Sequence, residues 1–78
     1  MTNSEKYIKA FSETFVIGEN EAVKAKYQEV KNWDSVGHMS LIAVLEDYFD
    51  IMMDTDDIID FSSFEKGKEI LKKYDLEI

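Results

Sequence analysis

The sequence predicts an all-α protein: one domain over residues 1–78, folded as a small bundle of four helices, three longer ones and a short third one. Three observations support this prediction. Apolar residues recur at helical spacing in separate segments, no alternation of apolar and polar residues is long enough for a sheet, and the chain has no proline. With 45% hydrophobic and 33% charged residues in 78, the composition is that of a small folded domain.

The first predicted helix covers residues 2–15. Thr2 and Glu5 have the spacing of a capping box, and two rival caps lie between them: Asn3 and Ser4. The residues predicted to face the core share helical spacing: Ile8, Phe11 and Phe15. Gly18 is the predicted C-terminal cap.

Residues 19–32 form the least regular part of the chain, in which a single helical turn fits between residues 21 and 26. A bare loop of this length is unusual in a compact domain. We therefore expect three larger apolar residues to hold the segment against the bundle: Tyr27, Val30 and Trp33.

The longest predicted helix runs from Ser35 to Phe49, with Asp34 as its N-cap, because an aspartate carboxylate accepts the free N–H groups of a first turn. One apolar stripe is predicted to face the core: Leu41, Ile42, Leu45, Tyr48 and Phe49. A second, smaller apolar set lies beside it: Val36, Met39 and Ala43. A core needs only one stripe, so we expect the second set to be exposed near Ser35, either for a transient protein contact or as peripheral packing.

Residues 50–61 are predicted to form a loop and a short helix, with Thr55 as the N-cap of residues 56–60. This segment holds four aspartates: Asp54, Asp56, Asp57 and Asp60. They do not fit a calcium loop of the EF-hand type, because Ile58 falls on a ligand position and Ile59 falls where glycine is required. We expect no dedicated metal site here, and at most weak binding of divalent cations.

The last predicted helix covers residues 62–74, with Ser62 and Glu65 as a capping box. Its inward side is expected to hold Phe64, Gly67, Leu71 and Tyr74. Glycine within a helix costs about 1 kcal/mol relative to alanine, so Gly67 predicts the close approach of another helix. Residues 75–78 are expected to fray.

The formal net charge is −8, and the negative charge is concentrated: residues 34–60 contain eight acidic residues and no lysine or arginine. Such a surface repels nucleic acid and anionic membranes. Its role is either to attract basic patches of other proteins or only to keep the protein soluble. The chain has no cysteine, so any thiol chemistry requires an added cofactor. Because neither a membrane-spanning run nor a signal peptide is visible, we expect a cytoplasmic protein. We also expect a monomer.

Asp34-Ser35, the downstream pattern Leu45-Glu46-Asp47-Tyr48-Phe49-Asp50 and a short final helix resemble the acyl carrier proteins, over about Trp33 to Leu71. The resemblance implies a four-helix bundle of the acyl-carrier type, with a long loop over residues 19–32. It implies that Ser35 carries 4′-phosphopantetheine through a phosphodiester, and that the thiol of this arm holds an acyl group as a thioester. It also implies that the protein is not itself an enzyme.

The partners that the resemblance implies are a phosphopantetheinyl transferase, a ligase that loads an acyl or aminoacyl group, and a downstream transferase or synthase. The residues expected to dock these partners surround the serine and follow its helix: Asp34, Val36, His38, Met39, Glu46 and Asp47. The pattern Trp-Asp-Ser-x-Gly-His-Met is more similar to free-standing carriers of specialised lipid or secondary-metabolite pathways than to fatty-acid carriers. The departures from the fatty-acid carriers are Lys31-Asn32-Trp33 before the motif, Val36 after the serine, and Ser40 where an acidic residue often stands.

Two other functions are compatible with parts of this pattern. Asp34, Ser35 and His38 suggest a hydrolase triad, but a chain of this size without a G-x-S-x-G elbow offers neither an oxyanion hole nor a substrate pocket. We therefore interpret His38 as a surface residue beside the arm. The second alternative is a carrier-like interaction module that is never modified and acts through its acidic surface.

Overall fold

The computed structural model describes all 78 residues and contains five helices and no β-strand. The helices are α1 (Asn3–Phe15), α2 (Glu19–Ala22), α3 (Ser35–Phe49), α4 (Thr55–Asp60) and α5 (Phe64–Lys72). About 60% of the residues are helical, which confirms the predicted all-α class. The predicted number of four helices is wrong, because the single turn α2 forms inside the segment that separates the two longest helices.

Helix α1 begins with the predicted capping box. The Thr2 hydroxyl accepts the Glu5 N–H at 3.1 Å, and the Glu5 carboxylate accepts the Thr2 N–H at 3.0 Å. The backbone hydrogen bond from Thr2 lowers the pKa of Glu5. The prediction of a cap at Gly18 is wrong: α1 ends at Phe15, and its C-cap is Val16, which adopts a left-handed conformation with φ 55°. This early turn lets Ile17 pack against the core.

The buried face of α1 is rotated from the predicted one. Tyr7 and Ala10 are fully buried with Phe11, whereas Ile8 is only half-buried. The Tyr7 hydroxyl donates a 2.6 Å hydrogen bond to the Phe64 carbonyl, and this bond offsets the cost of burying the hydroxyl. Burial raises the pKa of Tyr7 far above its ordinary value.

Gly67 of α5 permits the close approach that the sequence predicts. A Cβ atom at this position would lie 2.2 Å from the Tyr7 hydroxyl and 2.2 Å from the Phe61 ring, far inside contact distance. The groups that approach are therefore aromatic side chains and not the backbone of another helix.

The segment between α2 and α3 is tied to the start of α5. The Tyr27 N–H donates to the Ser62 carbonyl at 2.8 Å, and the Phe64 N–H donates to the Ala25 carbonyl at 2.9 Å. Trp33 is fully buried, and its ring stacks on Phe15 with centroids 5.1 Å apart. Tyr27 and Val30 also pack against the core, which confirms the prediction for this segment.

Two predicted helix caps are displaced by one residue. Thr55 is the first residue of α4, and Asp54 precedes it without a capping side-chain bond. Ser63, and not Ser62, caps α5 by accepting the Lys66 N–H at 3.0 Å. The Ser62 carbonyl accepts the Tyr27 N–H, and α5 begins two residues later, at Phe64.

The C-terminal residues do not form the predicted frayed tail. Leu76 and Ile78 are half-buried against the core, after a left-handed turn at Asp75 with φ 63°. Of the twelve residues predicted to face the core, eight are buried and four are half-buried: Ile8, Tyr48, Phe49 and Tyr74. The largest fully buried side chains of the core are Trp33, Tyr7, Phe11, Phe15, Phe61, Leu41, Ile42, Leu45 and Leu71.

Candidate functional site

Ser35 is exposed and is the first residue of α3, as the sequence predicts. The Asp34 carboxylate accepts the Gly37 N–H at 2.9 Å, and the Asp34 carbonyl accepts the His38 N–H at 2.8 Å. The N–H groups of Ser35 and Val36 have no intrahelical partner, because a helix leaves its first N–H groups free. A serine hydroxyl therefore lies next to free donors at the positive end of the longest helix.

Gly37 determines how closely the preceding loop approaches Ser35. A Cβ atom at Gly37 would lie 1.9 Å from the Asn32 carbonyl oxygen, so no other residue fits this turn of α3. The Asn32 amide also donates to the Phe15 carbonyl at 3.1 Å and thereby fixes the loop against the end of α1. The position of Ser35 thus depends on a glycine to which the sequence alone assigns no role.

Three large apolar side chains are exposed near Ser35. Val36 and Met39 of α3 are 77% and 55% exposed, and Ile59 of α4 is 72% exposed. The structure confirms that the second apolar set of α3 is exposed near Ser35. Ile59 is not among the docking residues predicted from the sequence, because its exposure depends on how α4 is oriented.

A cavity of about 370 Å³ lies beside Ser35; we call it the α3–α4 cavity. Five of its eight lining residues are hydrophobic. The lining residues are Tyr27, Ser35, His38, Met39, Ile58, Ile59, Phe61 and Ser62. Residues from the loop, α3 and α4 that are distant in the sequence therefore line a largely apolar, open space next to the serine.

His38 is not the surface residue that the sequence suggested. It is half-buried, and its Nδ1 and Nε2 atoms lie 2.9 Å from Trp33 Nε1 and 2.7 Å from the Ile58 carbonyl oxygen. Both ring nitrogens are thus occupied by groups other than Ser35. The arrangement offers Ser35 no histidine base, which removes the geometric basis of a hydrolase triad.

The two acidic docking candidates at the end of α3 differ in environment. Asp47 is exposed, whereas Glu46 is half-buried and its carboxylate accepts the Met53 N–H at 2.9 Å. Glu46 therefore holds the loop that leads into α4. Of the two, Asp47 is the one whose charge is displayed to solvent.

The four aspartates of the α4 region do not form one acidic cluster. Asp57 is buried and accepts hydrogen bonds from Lys73 Nζ at 2.7 Å and from the Tyr74 hydroxyl at 2.6 Å. These two donors lower the pKa of Asp57. Because Asp57 is engaged in this way, it is not available to the weak cation-binding face that the sequence suggested. The structure brings together no group of three or more metal-ligating side chains.

None of the five helices has both the length and the apolar character needed to cross a membrane. Comparisons of this chain with protein-family models, with curated proteins and with solved structures found no match.

Proposed function

We propose that this protein is an acyl carrier, in which Ser35 bears a 4′-phosphopantetheine arm that presents an acyl or aminoacyl group to partner enzymes. The observation that carries the proposal is the setting of Ser35: an exposed hydroxyl at the start of the longest helix, directly after the capping Asp34 and beside the α3–α4 cavity. The resemblance of Asp34-Ser35 and of residues 45–50 to acyl carrier proteins supports the same function.

The residues around Ser35 fit such an arm. The free N–H groups of Ser35 and Val36 and the helix dipole favour an anion on the serine oxygen, and the adjacent carboxylate, Asp34, is engaged by Gly37. When bound, the arm supplies the thiol that this cysteine-free chain lacks and holds the acyl group on it as a thioester. The α3–α4 cavity offers apolar surface next to the attachment point.

Attachment of the arm uses coenzyme A as the donor. The bond between Ser35 Oγ and phosphorus forms, the phosphoanhydride bond of coenzyme A breaks, and its adenosine bisphosphate part leaves. The serine proton passes to a base of the transferase, because Asp34 and His38 are held by other groups. This chain contributes an exposed nucleophilic oxygen and a rigid helix terminus that orients it.

Partner enzymes would recognise the exposed apolar residues near Ser35 together with the surrounding negative charge. Val36, Met39 and Ile59 supply apolar contact area, and Asp47 supplies charge that steers basic surfaces toward the carrier. We place the protein in the cytoplasm, in a specialised pathway in which a dedicated ligase loads the arm and a transferase or synthase receives the group.

The test is the intact mass of the protein after incubation with coenzyme A and a broad-specificity phosphopantetheinyl transferase. We expect wild type to gain the mass of one arm, and Ser35→Ala to gain none. Ser40→Ala is the matched control, because Ser40 is also exposed on α3, and it should be modified like wild type.

An unchanged mass of wild type, or modification of Ser35→Ala, would overturn the proposal. An unmodified wild type with a native fold would favour the alternative of an acidic interaction module. Far-UV circular dichroism of each variant establishes that the fold is intact, which is expected because the Ser35 hydroxyl is exposed.

A further inference from the structure

His38 is held by hydrogen bonds at both ring nitrogens, and its partners determine its protonation. The indole N–H of Trp33 can only donate, so Nδ1 of His38 accepts it at 2.9 Å. The carbonyl of Ile58 can only accept, so Nε2 of His38 donates to it at 2.7 Å. The ring is therefore neutral and carries its hydrogen on Nε2.

Aromatic rings hold the imidazole in this orientation. It lies nearly parallel to the Trp33 ring, with centroids 6.2 Å apart and an angle of 15° between the planes. The Tyr27 and Phe61 rings each make a T-shaped contact with it, at centroid distances of 5.6 Å and 6.3 Å. Neither of the two ion pairs in the protein involves His38, so hydrogen bonds and ring contacts determine its position.

The bond from His38 to Ile58 joins α3 to α4, a helix with little buried apolar surface of its own. The only buried residue among the six of α4 is Asp57, which is tied to Lys73 and Tyr74 on the side of α5. The Ile58 carbonyl, on the neighbouring residue of α4, accepts the hydrogen bond from His38. The two attachments fix α4 between its neighbours, and Ile58 and Ile59 form one wall of the α3–α4 cavity.

We propose that His38 is a positioning residue. As a neutral bridge between Trp33 and Ile58, it determines the position of α4 relative to Ser35 and thereby shapes the α3–α4 cavity. The effect of His38 on modification and loading rests on the proposed function, in which the transferase contacts Ser35 and the cavity wall formed by Ile58 and Ile59 at the same time. Trp33 and His38, which both lie in the Trp-Asp-Ser-x-Gly-His-Met segment, act as one unit in this role.

Two substitutions separate positioning from general packing. His38→Gln retains one acceptor and one donor on a planar group, so it can still bridge Trp33 and Ile58. His38→Phe retains the ring volume and the aromatic contacts but loses both hydrogen bonds. Circular dichroism and thermal unfolding identify any variant that has lost the fold.

The first readout is NMR of the unmodified protein at neutral pH, which does not depend on the proposed function. In wild type we expect an unprotonated Nδ1, a protonated Nε2 and a Trp33 indole hydrogen protected from exchange. The Ile58 and Ile59 methyl shifts should move in His38→Phe and stay close to wild type in His38→Gln. A hydrogen on Nδ1, or methyl shifts that are unchanged in His38→Phe, would overturn the inference.

The second readout is the rate of Ser35 modification. We expect His38→Phe to slow the modification of Ser35 by about tenfold, because this variant lacks the hydrogen-bonded bridge. His38→Gln, which can form the bridge, should be modified at a rate close to that of wild type. Equal rates for the two variants would refute a role of the bridge in modification. If wild type is not modified at all, the proposed function fails, and the NMR readout alone decides whether His38 positions α4.

Discussion

Asp57 of α4 and Lys73, the residue after α5, form a 2.7 Å ion pair in which the aspartate is buried and the lysine is largely exposed. The Tyr74 hydroxyl donates to the second oxygen of the same carboxylate at 2.6 Å and accepts the Asp54 N–H at 2.9 Å. This polar contact attaches the short helix that forms one wall of the α3–α4 cavity to the C-terminal end of the chain.

The first prediction concerns Asp57 and pH. Hydrogen bonds from Lys73 and Tyr74 lower the pKa of Asp57 from its ordinary value of 3.8. A carboxyl group with a lowered pKa stabilises the fold above its unfolded pKa and loses that contribution as pH falls through the folded pKa. Asp57→Asn should therefore be less stable than wild type at neutral pH, and the difference should shrink below about pH 4.

Urea unfolding of both proteins from neutral to strongly acidic pH measures this difference. Asp56→Asn, an exposed substitution on the same helix, is the control and should follow wild type throughout. A stability difference between wild type and Asp57→Asn that does not change with pH would contradict the prediction. The hydrogen bond to Asp57 raises the pKa of Lys73. At alkaline pH, the stabilisation from the Asp57–Lys73 ion pair should therefore be lost only as pH rises through that raised pKa.

Gly67→Ala should destabilise the fold although alanine favours helix by about 1 kcal/mol. The added methyl group would meet Tyr7 and Phe61 at 2.2 Å, and overpacking of this kind costs about 1–3 kcal/mol. Lys66→Ala, an exposed neighbour on α5, should change the free energy of unfolding by less than about 0.5 kcal/mol. If Gly67→Ala proved more stable than wild type by chemical denaturation, the close contact would have to be wrong.

Asp47→Lys should slow modification of Ser35 and leave helicity unchanged, because Asp47 is exposed and its charge steers basic partners. The reduction in the modification rate relative to wild type should grow as ionic strength falls, since salt screens surface charge. Glu69→Lys makes the same charge change on exposed α5 and should have the smaller effect on the rate. Similar rates for the two variants at low salt would place the docking surface elsewhere.

Glu46→Lys is not equivalent to Asp47→Lys. The Glu46 carboxylate accepts the Met53 N–H, so its loss removes a hydrogen bond that holds the loop before α4. We expect Glu46→Lys to reduce the free energy of unfolding by about 1–3 kcal/mol, the cost of leaving a partly buried donor unpaired. Thermal unfolding tests this, and a melting temperature equal to that of Asp47→Lys would contradict it.

Leu45→Ala should reduce the free energy of unfolding by about 2–5 kcal/mol, because Leu45 is fully buried at the middle of α3. The free energy of unfolding of a typical domain is roughly 5–15 kcal/mol, so this loss is a large part of it. Val36→Ala removes apolar atoms from an exposed position on the same helix and should have almost no effect. Equal losses for the two variants would mean that α3 buries a different face.

Much of the candidate site could be predicted from local sequence. The bounds of α3, the cap at Asp34, the exposed Ser35 and the exposed Val36 and Met39 all depend on residues within one or two turns of each other. The errors lie where a partner is distant. Ser63, and not Ser62, caps α5, and the adjacent Ser62 carbonyl pairs with Tyr27, which lies more than thirty positions earlier in the chain.

The sequence by itself determined the all-α class, the capping box of α1 and the place of Ser35 as the first residue of the longest helix, because helix periodicity and capping are properties of short segments. Only the tertiary structure decided the orientation of the buried and half-buried polar residues. His38 meets Ile58 twenty positions away, and Asp57 meets Lys73 sixteen positions away. A buried polar group must find a partner, and periodicity indicates which face of a helix is buried but not which donor or acceptor the fold brings to it.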